Sequence, residues 1–61
     1  MNIRNEAMKV YIENDAVTVE ANDVKKHYAT FVAAAEAIGE PGFDAAERIA
    51  AAIEAEGEYE V

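Results

Sequence analysis

The chain has 61 residues, 52% of them apolar, and carries 5 lysines and arginines against 13 aspartates and glutamates, a net charge of −8. This length allows one domain at most, and the apolar half excludes a disordered acidic tail. The absence of cysteine excludes disulfides, thiolate zinc sites, iron–sulfur clusters and a cysteine nucleophile, and the charge disfavours direct binding to DNA, RNA or anionic lipid, which depends on lysine and arginine.

Residues 8–13 (Met-Lys-Val-Tyr-Ile-Glu) and 16–21 (Ala-Val-Thr-Val-Glu-Ala) alternate with a period of two. The pair between them, Asn14-Asp15, tolerates the positive φ of a two-residue hairpin turn. That turn sets the register of a hairpin over 8–21. Ile12/Val17, Val10/Val19 and Met8/Ala21 fall on an apolar face, and Tyr11/Thr18 and Lys9/Glu20 on a polar one. Thr18 is expected at an exposed position where replacement costs little.

A helix is predicted over 23–38, capped by Asn22 or Asp23. Val24, Tyr28, Phe31, Ala35 and Ile38 recur at helical spacing with Val32 beside them, and Lys25, Lys26, Ala29, Ala33 and Glu36 fall on the other side. Gly39 is expected to end this helix in the left-handed conformation, with Pro41 preventing its continuation. A second helix is predicted over 44–56. Its start, Asp44-x-x-Glu47, resembles a capping box, its apolar stripe is Phe43, Ala46, Ile49, Ala50 and Ile53, and Gly57 ends it. Glu58-Tyr59-Glu60-Val61 alternates, as a short edge strand beside the hairpin would, or ends as a frayed tail. The whole is one α+β domain over 1–61: an N-terminal β-hairpin, an antiparallel helix pair (ββαα), and an optional C-terminal strand. A two-stranded hairpin is marginal alone, so the helices must cover its Met8/Val10/Ile12 face. With alanine at 14 positions the core is thin, and help from self-association or a partner is expected.

The N-terminal residues lack an apolar signal region, and no apolar run reaches membrane-spanning length. A cytoplasmic protein is the expectation. His27 is the only histidine, too few for the usual zinc sets. It sits beside Lys25 and Lys26 with no nucleophile motif around it, so it reads as a surface histidine and an enzyme is not expected. The acidic segments lack calcium-loop spacing, and the three glycines are accounted for by helix ends and the helix–helix connection rather than a phosphate loop. No cofactor is expected.

The charge is unevenly spread. In residues 1–35, Arg4, Lys9, Lys25 and Lys26 stand against Glu6, Glu13, Asp15, Glu20 and Asp23, a net of −1. In residues 36–61, Arg48 stands alone against Glu36, Glu40, Asp44, Glu47, Glu54, Glu56, Glu58 and Glu60, a net of −7. The spacing of Asp44, Glu47, Glu54 and Glu58 suits one face of the second helix. Glu54, Glu56, Glu58 and Glu60 alternate, and where extended their carboxylates would stand ~6.5 to 7 Å apart, near the separation of phosphates along a nucleic-acid strand. Such a face also serves solubility or adaptation to high salt. Tyr11, on the polar hairpin face, is an added contact candidate. In size, acidity and lack of cysteine the chain resembles, as a class, the small inhibitors encoded by phages and mobile elements, nucleic-acid mimics and anti-CRISPR proteins among them. The resemblance implies a non-enzymatic protein whose acidic half occludes a basic, nucleic-acid-binding surface of a protein partner. The alternative is a small homodimeric structural or regulatory module. The first predicts salt-sensitive binding to a basic partner, the second a concentration-dependent melting temperature.

Overall fold

In the computed structural model, which describes residues 8–61, two copies of one dipeptide organise the first half of the chain. Asn14-Asp15 and Asn22-Asp23 hold φ of 55° and 64° and of 56° and 65°. Positive φ at both central residues is the hairpin turn whose twist matches that of its strands, and asparagine and aspartate bear it better than other side-chain-bearing residues. The turns join β1 (Lys9–Glu13), β2 (Ala16–Ala21) and β3 (Val24–Tyr28) into an antiparallel meander. The first hairpin has the predicted register: Val10 faces Val19, Ile12 faces Val17, Tyr11 faces Thr18 and Lys9 faces Glu20.

The second turn overturns the start of the predicted helix over 23–38. Asn22 and Asp23 cap nothing; they return the chain so that Val24, Lys26 and Tyr28 face Ala21, Val19 and Val17 across the sheet. Val24 and Tyr28 are four apart, which satisfies helical and strand periodicity alike, and Lys26 between them hides the alternation. The helix α1 is shorter, Phe31–Ala37, and its cap is Thr30, whose hydroxyl accepts from the Ala33 N–H at 3.1 Å. Its end is as predicted. Gly39 has φ 86°, its N–H donates to the Glu36 carbonyl, and the Glu40 N–H reaches the Ala35 carbonyl at 2.9 Å. These two bonds make a Schellman cap, whose left-handed position suits glycine.

The second helix, α2, spans Phe43–Glu56. Its N-cap is Gly42, which offers no side-chain bond, so the Asp44-x-x-Glu47 box is not formed. Asp44 lies inside the first turn, where its charge meets the positive end of the helix dipole. Gly57 ends the helix in the left-handed conformation, and β4 (Tyr59–Glu60) pairs antiparallel with β1, Lys9 facing Glu60 and Val10 facing Tyr59. The sheet order is β3-β2-β1-β4. The fold is α+β, with a third strand in place of the first turns of the first helix.

Both helices pack on the Val10/Val17/Val19 face. Val10, Ala34, Ala35 and Ile49 are wholly buried, with Val17, Val19, Ile38 and Ala45 nearly so, and Met8, Tyr28, Phe31, Ile53 and Tyr59 at the margin. Small residues on both helices, Ala34 and Ala35 on α1 and Ala45 and Ala46 on α2, are buried. Phe43, the first helical residue, departs from its predicted stripe and is 76% exposed. Ile12 and Val24, near strand ends, are also exposed.

Among the described residues the opposite face carries no helix, yet Thr18 on it is fully buried. Thr18 is on the inner strand β2, between Tyr11 and His27. Its Oγ1 lies 2.9 Å from His27 Nδ1 and 3.3 Å from the Ala16 carbonyl oxygen. The Tyr11 hydroxyl donates to Glu20 Oε1 at 2.8 Å, and Lys25 Nζ reaches over to Glu13 at 3.3 Å. Long polar side chains thus roof a residue expected in solvent. Thr18→Ala should therefore cost about 0.5 to 1.5 kcal/mol in urea melts, since it removes the hydrogen bond between the buried hydroxyl and His27; an unchanged midpoint would mean that the roof is open. The bond to Glu20 holds the Tyr11 hydroxyl protonated above its ordinary range, and the bond to Glu13 likewise raises Lys25. Both raised groups support the fold while protonated, so this support is lost as alkali titrates them.

Candidate interaction surfaces

The helix α2 sorts its residues by periodicity. Ala45, Ala46 and Ile49 are buried, whereas Asp44, Glu47, Arg48, Ala51, Glu54 and Ala55 are exposed, three and four apart. Asp44 and Glu54 therefore share one solvent face about 15 Å apart, at 1.5 Å per residue. Among the described residues Asp44, Glu47, Glu54 and Glu56 take part in no ion pair, while the one cation on the helix, Arg48, turns to Glu40 at 3.6 Å. The exposed ring of Phe43 stands at the same end as Asp44 and Glu47.

The other expected acids go elsewhere. Glu58 lies past the end of the helix and is not part of its face; it sits 3.6 Å from Lys9 on the sheet. Glu40 accepts from the Tyr59 hydroxyl at 2.9 Å and forms an ion pair with Arg48 at 3.6 Å, so it ties the helix–helix connection to β4. Glu36 is exposed on the last turn of α1. Because the chain is helical to Glu56, only Glu58 and Glu60 have extended, phosphate-like spacing. Glu54 and Glu56 point roughly 200° apart around the helix axis. Glu56 instead joins Glu58 and Glu60, with Ala52 and Tyr59, around an open depression of about 350 Å³. Tyr11 is on the uncovered sheet face, bonded to Glu20 and away from α2.

A second surface was not legible in the sequence. With β3 at the margin of the sheet, Lys25, Lys26 and His27 line an edge and Val24 is 54% exposed. Beside them Val19, Ala21, Val24, Tyr28 and Ala37, with Lys26, line a shallow depression of about 190 Å³. The repeated Asn-Asp dipeptide hints at the second turn, but that β3 forms an edge follows only from its pairing with β2. The sheet margins thus differ in charge, basic along β3 and acidic along β4.

Among the described residues no three histidine, aspartate or glutamate side chains converge to hold a metal ion, and no helix is long and apolar enough to cross a membrane. No family model matches the chain, and neither a curated protein nor a solved structure matches it.

Proposed function

We propose that the protein is a non-enzymatic acidic interaction module whose α2 face docks on a basic, nucleic-acid-binding surface of a protein partner and occludes it. The observation that carries this reading is the exposed row Asp44, Glu47 and Glu54, which no cation of the chain neutralises among the described residues. Carboxylates in such a row accept charge-assisted hydrogen bonds from arginine and lysine as phosphates do. Phe43 adds an apolar anchor at one end, since aromatic residues, phenylalanine among them, are enriched in the cores of interfaces. Steering between opposite charges would speed encounter ~10 to 1,000-fold and would fade as salt screens it.

The test is capture from cell extract with immobilised protein, comparing wild type with Asp44→Asn/Glu47→Gln/Glu54→Gln/Glu56→Gln. All four positions are exposed, so the fold should survive. The expected result is a partner held by wild type at low salt, released by rising salt or a competing oligonucleotide, and lost from the variant. Asp15→Asn/Asp23→Asn, at exposed turn positions that asparagine also tolerates, should retain it. Equal capture by the fourfold variant, or indifference to the oligonucleotide, would sink the proposal.

A further inference from the structure

We propose that the two margins of the sheet are complementary to each other and join copies of this chain head to tail, β4 of one against β3 of the next. The α2 face takes no part in this contact. A row of charge crosses the open side of the sheet. The registers place Lys25, Glu20, Lys9 and Glu60 side by side on β3, β2, β1 and β4, an unbroken alternation of charge. A copy set beside β4 in the same orientation brings its own Lys25 next to Glu60 and continues the row.

Strand direction agrees. β3 runs parallel to β1, and β4 runs antiparallel to it, so a copy in the same orientation extends the antiparallel order and keeps its helices on the same side. Backbone polarity agrees as well. A two-residue turn closes on a hydrogen-bonded pair, here Ala21 and Val24, and bonded and non-bonded pairs then alternate along the ladder. The N–H and C=O groups of Lys25 and His27 consequently turn outward. At the other margin the Val61 N–H donates to the Met8 carbonyl at 2.9 Å, so the same alternation turns the groups of Glu60 outward. Lys25 and Glu60 of neighbouring copies can exchange both backbone bonds.

That register determines the remaining contacts. His27 meets Glu58 of the second copy, Lys26 meets its Tyr59, and Val24 meets its Val61. Val24 and Val61 are two of the four large apolar residues left exposed among the described residues, at 54% and 48%, and the contact covers both. Lysines on an edge strand ordinarily deter pairing, but β4 is an edge that answers them with carboxylates. Because the interface uses two different patches, it does not close as a twofold pair. The twist of roughly 20 to 25° per strand winds successive copies into an open helical array. Four residues a side make a small contact, and the −8 charge of each copy opposes it at low salt. Association therefore belongs at physiological ionic strength, where repulsion beyond ~8 Å is screened, and at high protein concentration.

Sedimentation velocity from micromolar to millimolar concentration, at physiological ionic strength, tests this. Wild type should pass from a 6.6 kDa monomer to a ladder of dimers, trimers and longer species. Lys25→Glu and Glu60→Lys, checked for fold by circular dichroism, should each remain monomeric, because each sets like charges against each other. Mixed in equal amounts, the two variants should regain the ladder, and so should the double reversal Lys25→Glu/Glu60→Lys. A wild type that stays monomeric throughout, a species that stops at the dimer, single variants that assemble like wild type, or a mixture that stays monomeric would each overturn the proposal.

Discussion

Val10→Asp should abolish cooperative folding. Val10 is wholly buried, faces Val19 on one side and Tyr59 on the other, and belongs to the single core cluster under both helices. Among the described residues no cation lines that cluster, so an aspartate there is either an unpaired buried carboxylate or a buried carboxyl held neutral at a cost, several kcal/mol either way. At ~0.05 to 0.15 kcal/mol per residue a domain of this size is stable by only ~3 to 9 kcal/mol. Far-UV circular dichroism should show loss of structure in water. Ala51→Asp places the same side chain at an exposed helical position and should melt within about 1 kcal/mol of wild type. A Val10→Asp protein with a wild-type urea midpoint would refute the packing of β1.

Ile49→Ala should be the most damaging truncation on α2. Among the described residues Ile49 is the largest wholly buried side chain, and the other buried members of the core are mostly alanine and valine, which are too short to close the void. Large-to-small replacements at such sites cost about 2 to 5 kcal/mol, more where the site cannot collapse. Ile53, one turn on, is half-buried at the edge of the same cluster, so Ile53→Ala should cost less. Equal losses in urea melts would mean that α2 is rolled about its axis relative to the face described above.

The candidate site was legible only in composition. The excess of acid after residue 35 is written in the chain, and the three- and four-residue spacings of α2 place Asp44, Glu47 and Glu54 together. Which carboxylates remain available was not legible. Glu58 meets Lys9 only because β4 lies beside β1, and Glu40 meets Tyr59 across 19 positions. These are long-range contacts, and spacing along one element carries no information about them.

Local chemistry was enough for the first hairpin, its register, the left-handed Gly39, and the span of the second helix with Gly57 at its end. In each, the deciding interaction lies within a few residues: a turn conformation, a cap, or an alternation of apolar side chains. Residues 24–28 were ambiguous locally, since Val24 and Tyr28 suit a helix face and a strand face equally. Only pairing with β2 resolves them, because five strand residues gain a complete ladder there that the same residues in an isolated helical turn could not match. The burial of Thr18 follows from the same event, as it takes a strand on each side to roof a residue between them. Tertiary structure likewise decided that one margin of the sheet would be basic and the other acidic, since the edges exist only once the strand order β3-β2-β1-β4 is set.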